Sequence, residues 1–262
     1  MSIPKIIHYC WFGGAPMPEL ALNCLDSWKK YCPDYRLICW SENNYNFSAA
    51  PDYVRQAYDA KKWAFVTDYV RLQVVYEMGG IYLDTDVELR SSLDPFLAHP
   101  SFFGFESRKA VASGLGFGAE AQNGTVQQLL AEYDDVVFLR EDGSFDLTPC
   151  PVRNTNALLK RGLIADGSMQ ILPDGTAVYP ADYFNPKSFE TGRITLTHNT
   201  VSIHHFDGSW LTPERKKELE EYRKVTKIFG VSTGERLLLA KKLLKNEGFA
   251  ALGRRMIDHF KK

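Results

Sequence analysis

The order of elements along this 262-residue chain predicts an α/β fold, with a Rossmann-like mixed but mostly parallel sheet flanked by helices. Three observations carry that prediction. Apolar strands alternate with amphipathic helices through the first third of the sequence. A largely apolar helix, 63–78, breaks at Gly79-Gly80 and runs at once into a short buried strand. Gly13, Ser41 and Asp84 stand at the carboxyl ends of three predicted strands, where open α/β sheets gather their ligands.

Taken in order, Ile3 to Gly14 reads as a strand stopped by a glycine turn, and Pro18 to Tyr31 as an amphipathic helix with Ala21, Cys24, Leu25 and Trp28 inward. Tyr35 to Trp40 is the second strand, followed by the turn Ser41-Glu-Asn-Asn44, and 52–62 is a short helix. The next helix repeats Phe65, Tyr69, Leu72 and Tyr76 at three- and four-residue spacing and carries Asp68 and Arg71 on one face. The plain reading of that pair is a surface i,i+3 ion pair worth a few tenths of a kcal/mol. Ile81-Tyr-Leu then leads into Asp84-Thr85-Asp86, and on an extended chain both carboxylates fall on the side of Tyr82.

Two carboxylates at a strand exit repel each other unless a counter-charge joins them, and a hard divalent cation (Mn2+ or Mg2+) supplies one. Asp-x-Asp alone is common and is as readily a solvated turn. An EF-hand is excluded, because Leu89 and Pro95 stand where its glycine and final glutamate belong.

Further along, 101–106 reads as an apolar strand, and Ser113-Gly-Leu-Gly-Phe-Gly118, whose three alternate glycines lack the dinucleotide-binding order, as a strand or loop packed close to a bound sugar or else as a flexible loop. Residues 122–133 form a helix, and 156–161 another with Asn154 or Thr155 as N-cap. Thr200 to Trp210 is a strand delivering His204 and His205 ahead of Gly208-Ser209-Trp210; the histidines are either ligands or a satisfied edge. Beyond Thr212-Pro213 the chain is charged and helical. The expected division is a domain over 1–230 and a basic amphipathic helical tail over 231–262, whose plain reading is a helical pair on the domain and whose sharper one is contact with an anionic membrane surface.

Composition narrows the field. A net charge of −1 argues against a general nucleic-acid binder, and no run of eighteen apolar residues is present to span a bilayer. Five cysteines (Cys10, Cys24, Cys32, Cys39, Cys150) without metal-site spacing read as reduced thiols, and with no signal-peptide pattern at Pro4-Lys5 the expected location is cytoplasmic, at the inner face of the membrane if the tail binds it.

The run Asp68-x-x-Arg71 … Gly79-Gly80-Ile-Tyr82-Leu-Asp84-x-Asp86 resembles the sugar-nucleotide signature of family 32 glycosyltransferases, which include yeast-type initiating mannosyltransferases and bacterial capsular polysaccharide enzymes. It is also similar to the glucosyltransferase domain of large clostridial toxins. The resemblance implies a GT-A type fold and a metal-dependent, configuration-retaining transfer of a hexose from a UDP- or GDP-sugar to a glycan or lipid-linked glycan acceptor. It implies that Asp68 and Arg71 hold the donor sugar, and that Asp84 and Asp86 hold the metal and nucleotide beside Tyr82. The opening Ile-Pro-Lys-x-Ile-His-x-x-Trp pattern implies Trp11 as a base-stacking residue. The C-terminal pattern implies His205 as the last metal ligand, with His204 in reserve, and Ser209 and Trp210 over the phosphates. Cys150-Pro151 stands where relatives have Gly-Pro. Two other readings stay open: a haloacid-dehalogenase-like phosphatase using Asp84 as nucleophile and Asp86 as acid/base, against which Glu88 stands, and a non-catalytic sugar- or metal-binding module.

Overall fold

The computed structural model describes residues 2–208 and 211–247, with side chains through Lys242. The chain opens with β1 (Ile6–Cys10), α1 (Glu19–Tyr31), β2 (Arg36–Trp40), α2 (Asp52–Asp59), α3 (Trp63–Met78) and β3 (Gly80–Tyr82). Then come β4 (Val87–Leu89), β5 (Ser101–Ser107), β6 (Ala110–Val111), β7 (Phe117–Ala119), α4 (Gly124–Ala131) and α5 (Cys150–Lys160). The remaining elements are β8 (Gln170–Ile171), β9 (Ala177–Tyr179), α6 (Ala181–Phe184), β10 (Ser202–His204), α7 (Pro213–Phe229) and α8 (Val231–Glu247).

The central sheet has the order β2-β1-β3-β7-β5-β9-β8, with β6 added to β5. β2, β1 and β3 are mutually parallel, β5 and β9 are parallel to each other, and β7 and β8 run antiparallel to their neighbours. Five of the seven strands in that order therefore point one way, which is the mixed, mostly parallel sheet expected. A separate two-stranded antiparallel sheet joins β4 to β10.

Two apolar clusters fill the space between sheet and helices. One places Val66, Val70 and Val74 of α3 against Tyr53, Val54, Phe103, Phe117 and Phe138. The other places Cys24, Leu25 and Trp28 of α1 with Ile7, Ile81, Val87 and Leu89. α3 contributes Val66, Val70, Leu72, Val74 and Val75 to the first cluster, with Phe65, Tyr69 and Tyr76 packed against it, which accounts for the apolar character of most of its circumference. His8 is fully buried in β1 and structural: its Nε2 lies 2.9 Å from the Gly79 carbonyl while Trp40 Nε1–H donates to its Nδ1 at 3.1 Å. Those partners fix a neutral ring protonated at Nε2, and burial lowers its pKa further.

The chain divides into two compact units, one of Met1–Lys187 with Thr195–Trp210 and one of Ser188–Ile194 with Leu211–Lys262. The boundary expected at 230/231 falls at the α7–α8 joint, inside the second unit. The five cysteines are free, with Cys10, Cys24 and Cys32 buried and Cys39 and Cys150 partly so. No helix among the described residues is long and apolar enough to cross a membrane.

Candidate active site

The site begins where α3 ends. Gly79 has φ +65° and Gly80 φ +110°, and a Cβ on Gly80 would lie 2.9 Å from the Ile6 carbonyl oxygen. Only glycine combines that left-handed backbone with pairing as close as β3 makes to β1. β3 stops at Tyr82; Leu83 N–H donates to the His8 carbonyl at 3.1 Å, and Val87 N–H donates to the Asp84 carbonyl at 3.0 Å. The Asp84-Thr85-Asp86 motif is thus a tight turn into β4 instead of the extended segment expected. The turn still brings the carboxylates together.

Arg71 is the hub behind them. It is 4 % exposed, and its guanidinium meets Asp84 Oδ1 at 3.0 Å and Asp68 Oδ1 at 3.2 Å. Its Nη1 donates to Cys150 Sγ at 3.6 Å, and its plane lies 5.0 Å from the Tyr82 ring centroid. Tyr82 O–H donates to the same Asp84 Oδ1 at 2.9 Å. Asp68 and Arg71 therefore form no solvated surface pair: both are buried, and they tie α3 to the turn. Asp84 Oδ2 faces Gly114, where a Cβ would overlap that oxygen and lie 3.1 Å from Arg71 Nη1. The loop carrying Gly114 is itself held by Asn154, whose Oδ1 accepts from Ser113 N–H at 2.8 Å.

The histidine that joins the carboxylates is His204. The β4–β10 ladder sets His204 opposite Val87, and its Nε2 lies 3.2 Å from Asp86 Oδ1. Alternation sends the next side chain the other way, so His205 Nε2 lies 3.0 Å from Glu88 Oε2. The geometry thus selects the reserve histidine over His205. Asp84, Asp86 and His204 each offer one ligand atom, all within 4.8 Å of one another. Two carboxylate oxygens and an imidazole nitrogen so gathered fit a hard or borderline divalent cation, whose octahedral ligands stand about 3–4 Å apart.

The electrostatics follow from burial against these partners. Burial raises the Asp68 carboxyl to about 6, with Arg71 opposing the shift. Burial also raises Asp84, against Arg71 and with the repulsion of Asp86 added. Asp86 goes the other way: although burial raises it, the charge and hydrogen bond of His204, aided by the Asp207 N–H at 2.8 Å from Oδ2, hold it below the usual carboxylate range. His204 is raised, since Asp86 outweighs the desolvation that lowers it.

Of the other expected site residues, Trp11 lies just beyond β1, partly exposed, with its Nε1–H donating to the Ala15 carbonyl at 2.6 Å. Ser209 and Trp210 lie outside the described residues. α5 begins at Cys150 with Pro149 as its N-cap residue, so Asn154 is inside the helix and buried instead of capping it. Pro151 explains the earlier start, because a proline in the first turn forfeits an N–H that has no helical partner anyway. Sequence reasoning did not single out Glu106, at the end of β5. Burial raises its carboxyl, the His204 charge opposes that shift, and its backbone carbonyl accepts from Asn185 Nδ2–H at 2.9 Å. Gly114 belongs to the run of alternate glycines that the sequence singles out, and the structure sets it against Asp84 and Arg71.

Residues 18–103 match the family model described as the glycosyltransferase sugar-binding region containing the DXD motif. Inositol phosphoceramide mannosyltransferase 3 of Schizosaccharomyces pombe (strain 972 / ATCC 24843) is 32 % identical over 120 residues, covering 44 % of this chain and 33 % of the relative. Inositol phosphoceramide mannosyltransferase 1 of the same organism is 28 % identical over 111 residues, covering 38 % and 33 %. The chain spans about a third of the length of these curated relatives. Among solved structures, the PaToxG glycosyltransferase has 19 % identity and a TM-score of 0.45 over 61 % of this chain and 70 % of its own. A glycosyltransferase involved in glycosylation of the major capsid of PBCV-1 has 11 % identity and a TM-score of 0.42, over 83 % and 100 %. The Gly79-Gly80 break, the Arg71 hub and both carboxylates all lie within the segment that matches the DXD-containing glycosyltransferase sugar-binding region.

Proposed function

We propose that this chain is a metal-dependent, retaining glycosyltransferase that moves a hexose from a nucleoside-diphosphate sugar to a glycan or lipid-linked acceptor. The observation that carries the reading is the meeting of Asp84, Asp86 and His204 in front of a buried Arg71–Asp68 pair, in a segment matching a sugar-binding region. The relatives' names favour a mannosyl donor and a lipid-borne acceptor as its specific form.

Asp84, Asp86 and His204 would hold the divalent ion, which when bound neutralises charge on a departing diphosphate. The protein's own part is positioning. Arg71 fixes Asp84 through Oδ1, with Tyr82 on the same oxygen, so the carboxylate cannot rotate away from the cluster. Asp68, held by Arg71, is the residue that would accept hydrogen bonds from sugar hydroxyls. Trp11 at the end of β1 would stack on the base, a contact worth about 1–3 kcal/mol. Retention fits a same-face displacement, with the oxocarbenium-like transition state shielded by the buried pair. The phosphatase alternative asks Asp84 to be an open nucleophile, whereas one of its oxygens is tied by two donors.

A thermal-shift series with UDP and GDP, each with and without Mn2+, tests this directly. Stabilisation requiring both metal and one nucleotide is expected, about 2.7 kcal/mol at a hundredfold excess over Kd. No shift with either nucleotide in the presence of Mn2+ would overturn the reading.

A further inference from the structure

The α7–α8 hairpin carries a feature that sugar transfer does not use. Residues 227–233 are exposed without interruption, and Ile228 is 73 %, Phe229 53 % and Val231 46 % exposed. Leu237 and Leu239 on α8 are also exposed, at 44 % and 56 %. The joint is built to present them. Gly230 turns the chain at φ +76°, and the helices meet through Gly234 and Thr226, where a Cβ on Gly234 would lie 3.0 Å from Thr226 Cγ2. The apolar trio stands largely exposed beside that close helix–helix contact.

Charge surrounds that tip. Residues 211–242 hold nine Lys and Arg against five Asp and Glu, and Lys224, Lys227, Arg236, Lys241 and Lys242 lie near the joint or along α8. Among the ion pairs of this unit, Lys241 pairs with Glu221 and Arg215 with Glu218, and the excess of positive charge remains. Residues 1–210 are the reverse, with seventeen basic side chains against twenty-five acidic ones.

From this we infer that the α7–α8 hairpin docks the protein on an anionic lipid bilayer, inserting Ile228, Phe229 and Val231 among the headgroups with the flanking lysines against the phosphates. An exposed apolar tip rimmed by cations is the chemistry of an interfacial anchor. A nucleic acid would draw on the cations and leave the tip without a partner. A second copy would bring like charges together. The acidic remainder makes the attraction local to this unit. The inference is independent of the glycosyltransferase reading and can stand or fall alone.

The test is co-sedimentation of the full chain with vesicles of phosphatidylcholine alone or mixed with phosphatidylglycerol. Binding to the mixed vesicles should exceed that to neutral ones by about tenfold or more and should fall steeply with added salt. The substitution set Ile228→Ser, Phe229→Ser and Val231→Ser should lower partitioning by about tenfold with the unfolding temperature unchanged. Hydrogen exchange of the unaltered chain should show residues 224–233 gaining protection only when anionic vesicles are added. Equal binding to both vesicle types, undiminished binding of the triple variant, or no gain in protection would overturn the inference. So would a lipid-free dimer that the same substitutions abolish, which would assign the tip to a second copy.

Discussion

Asp68 is held where its charge is disfavoured. It is buried at the foot of α3, and even with Arg71 3.2 Å away its carboxyl titrates near 6 instead of 3.8. A raised folded-state pKa means that the native chain binds the proton more tightly than the unfolded one. The stabilisation is full below the unfolded value and is lost as pH rises through about 6, so ionised Asp68 costs roughly 2–3 kcal/mol at neutral pH. In metal-free protein, Asp68→Asn should therefore raise the unfolding temperature at pH 7.5, and the gain should vanish near pH 4. The same variant should lose sugar transfer by orders of magnitude, since the carboxylate is what would hold the hydroxyls. A stabilised variant with normal turnover would remove Asp68 from the donor site. The histidines separate as sharply. His204→Ala should weaken Mn2+ binding by at least about tenfold, while His205→Ala, which breaks only a contact to Glu88, should leave it nearly unchanged. Calorimetric titration of both decides between them, and the opposite ranking would restore His205 as the ligand.

At the scale of elements, the site depends on a close approach between two loops. Gly114, in the turn before β7, leaves room for Asp84 Oδ2 and Arg71 Nη1, and Asn154 of α5 holds that turn by its backbone. Gly114→Ala should push the carboxylate off its place and lower kcat/KM by up to about a hundredfold, with a stability cost of about 1–3 kcal/mol. Steady-state kinetics beside a melting curve checks this, and unaltered kinetics would mean that Asp84 relaxes without loss. The parts of this arrangement governed by neighbours in sequence were legible beforehand. The spacing on α3, the Gly79-Gly80 break and the buried strand follow from local pattern and backbone geometry, whereas Asp84 and Asp86 meet through a turn and not through the strand alternation expected. What pattern could not give depends on pairing across the chain. Whether His204 or His205 turns inward is fixed by the register of β10 on β4, more than a hundred residues away in sequence. Asn154 looks like a cap until Pro149 and Pro151 start the helix sooner and turn it toward Ser113. The ion pair of Asp68 and Arg71 looked superficial because nothing near it in sequence announces that Tyr82 and Cys150 will cover it.

The whole molecule distributes its stability unevenly, and exchange rates should record it. Every large apolar side chain fully buried among the described residues belongs to the first unit, from Trp28 and Tyr53 through Phe117 to Phe184. In the second unit the described residues bury Thr226 and Gly234, with ion pairs such as Arg215–Glu218 on the surface. Exposed ion pairs contribute about 0–1 kcal/mol each, and helices of this length are marginal without an apolar face to bury. Local opening of α7 and α8 should therefore be far easier than global unfolding, which the amides of β1, β3, β5 and β7 await. Hydrogen exchange at neutral pH should deuterate peptides from 213–242 within minutes while peptides spanning 6–10 and 101–107 stay protected for hours. Nucleotide with Mn2+ should slow exchange around 82–87 and 202–207, because those segments carry Asp84, Asp86 and His204, which would hold the cation, and should leave 213–242 unaffected. Protection of α7 and α8 equal to that of the sheet would show that the second unit draws its stability from more than its own hairpin, and an apolar tip already covered in solution would then have to be reckoned with at Ile228 and Phe229.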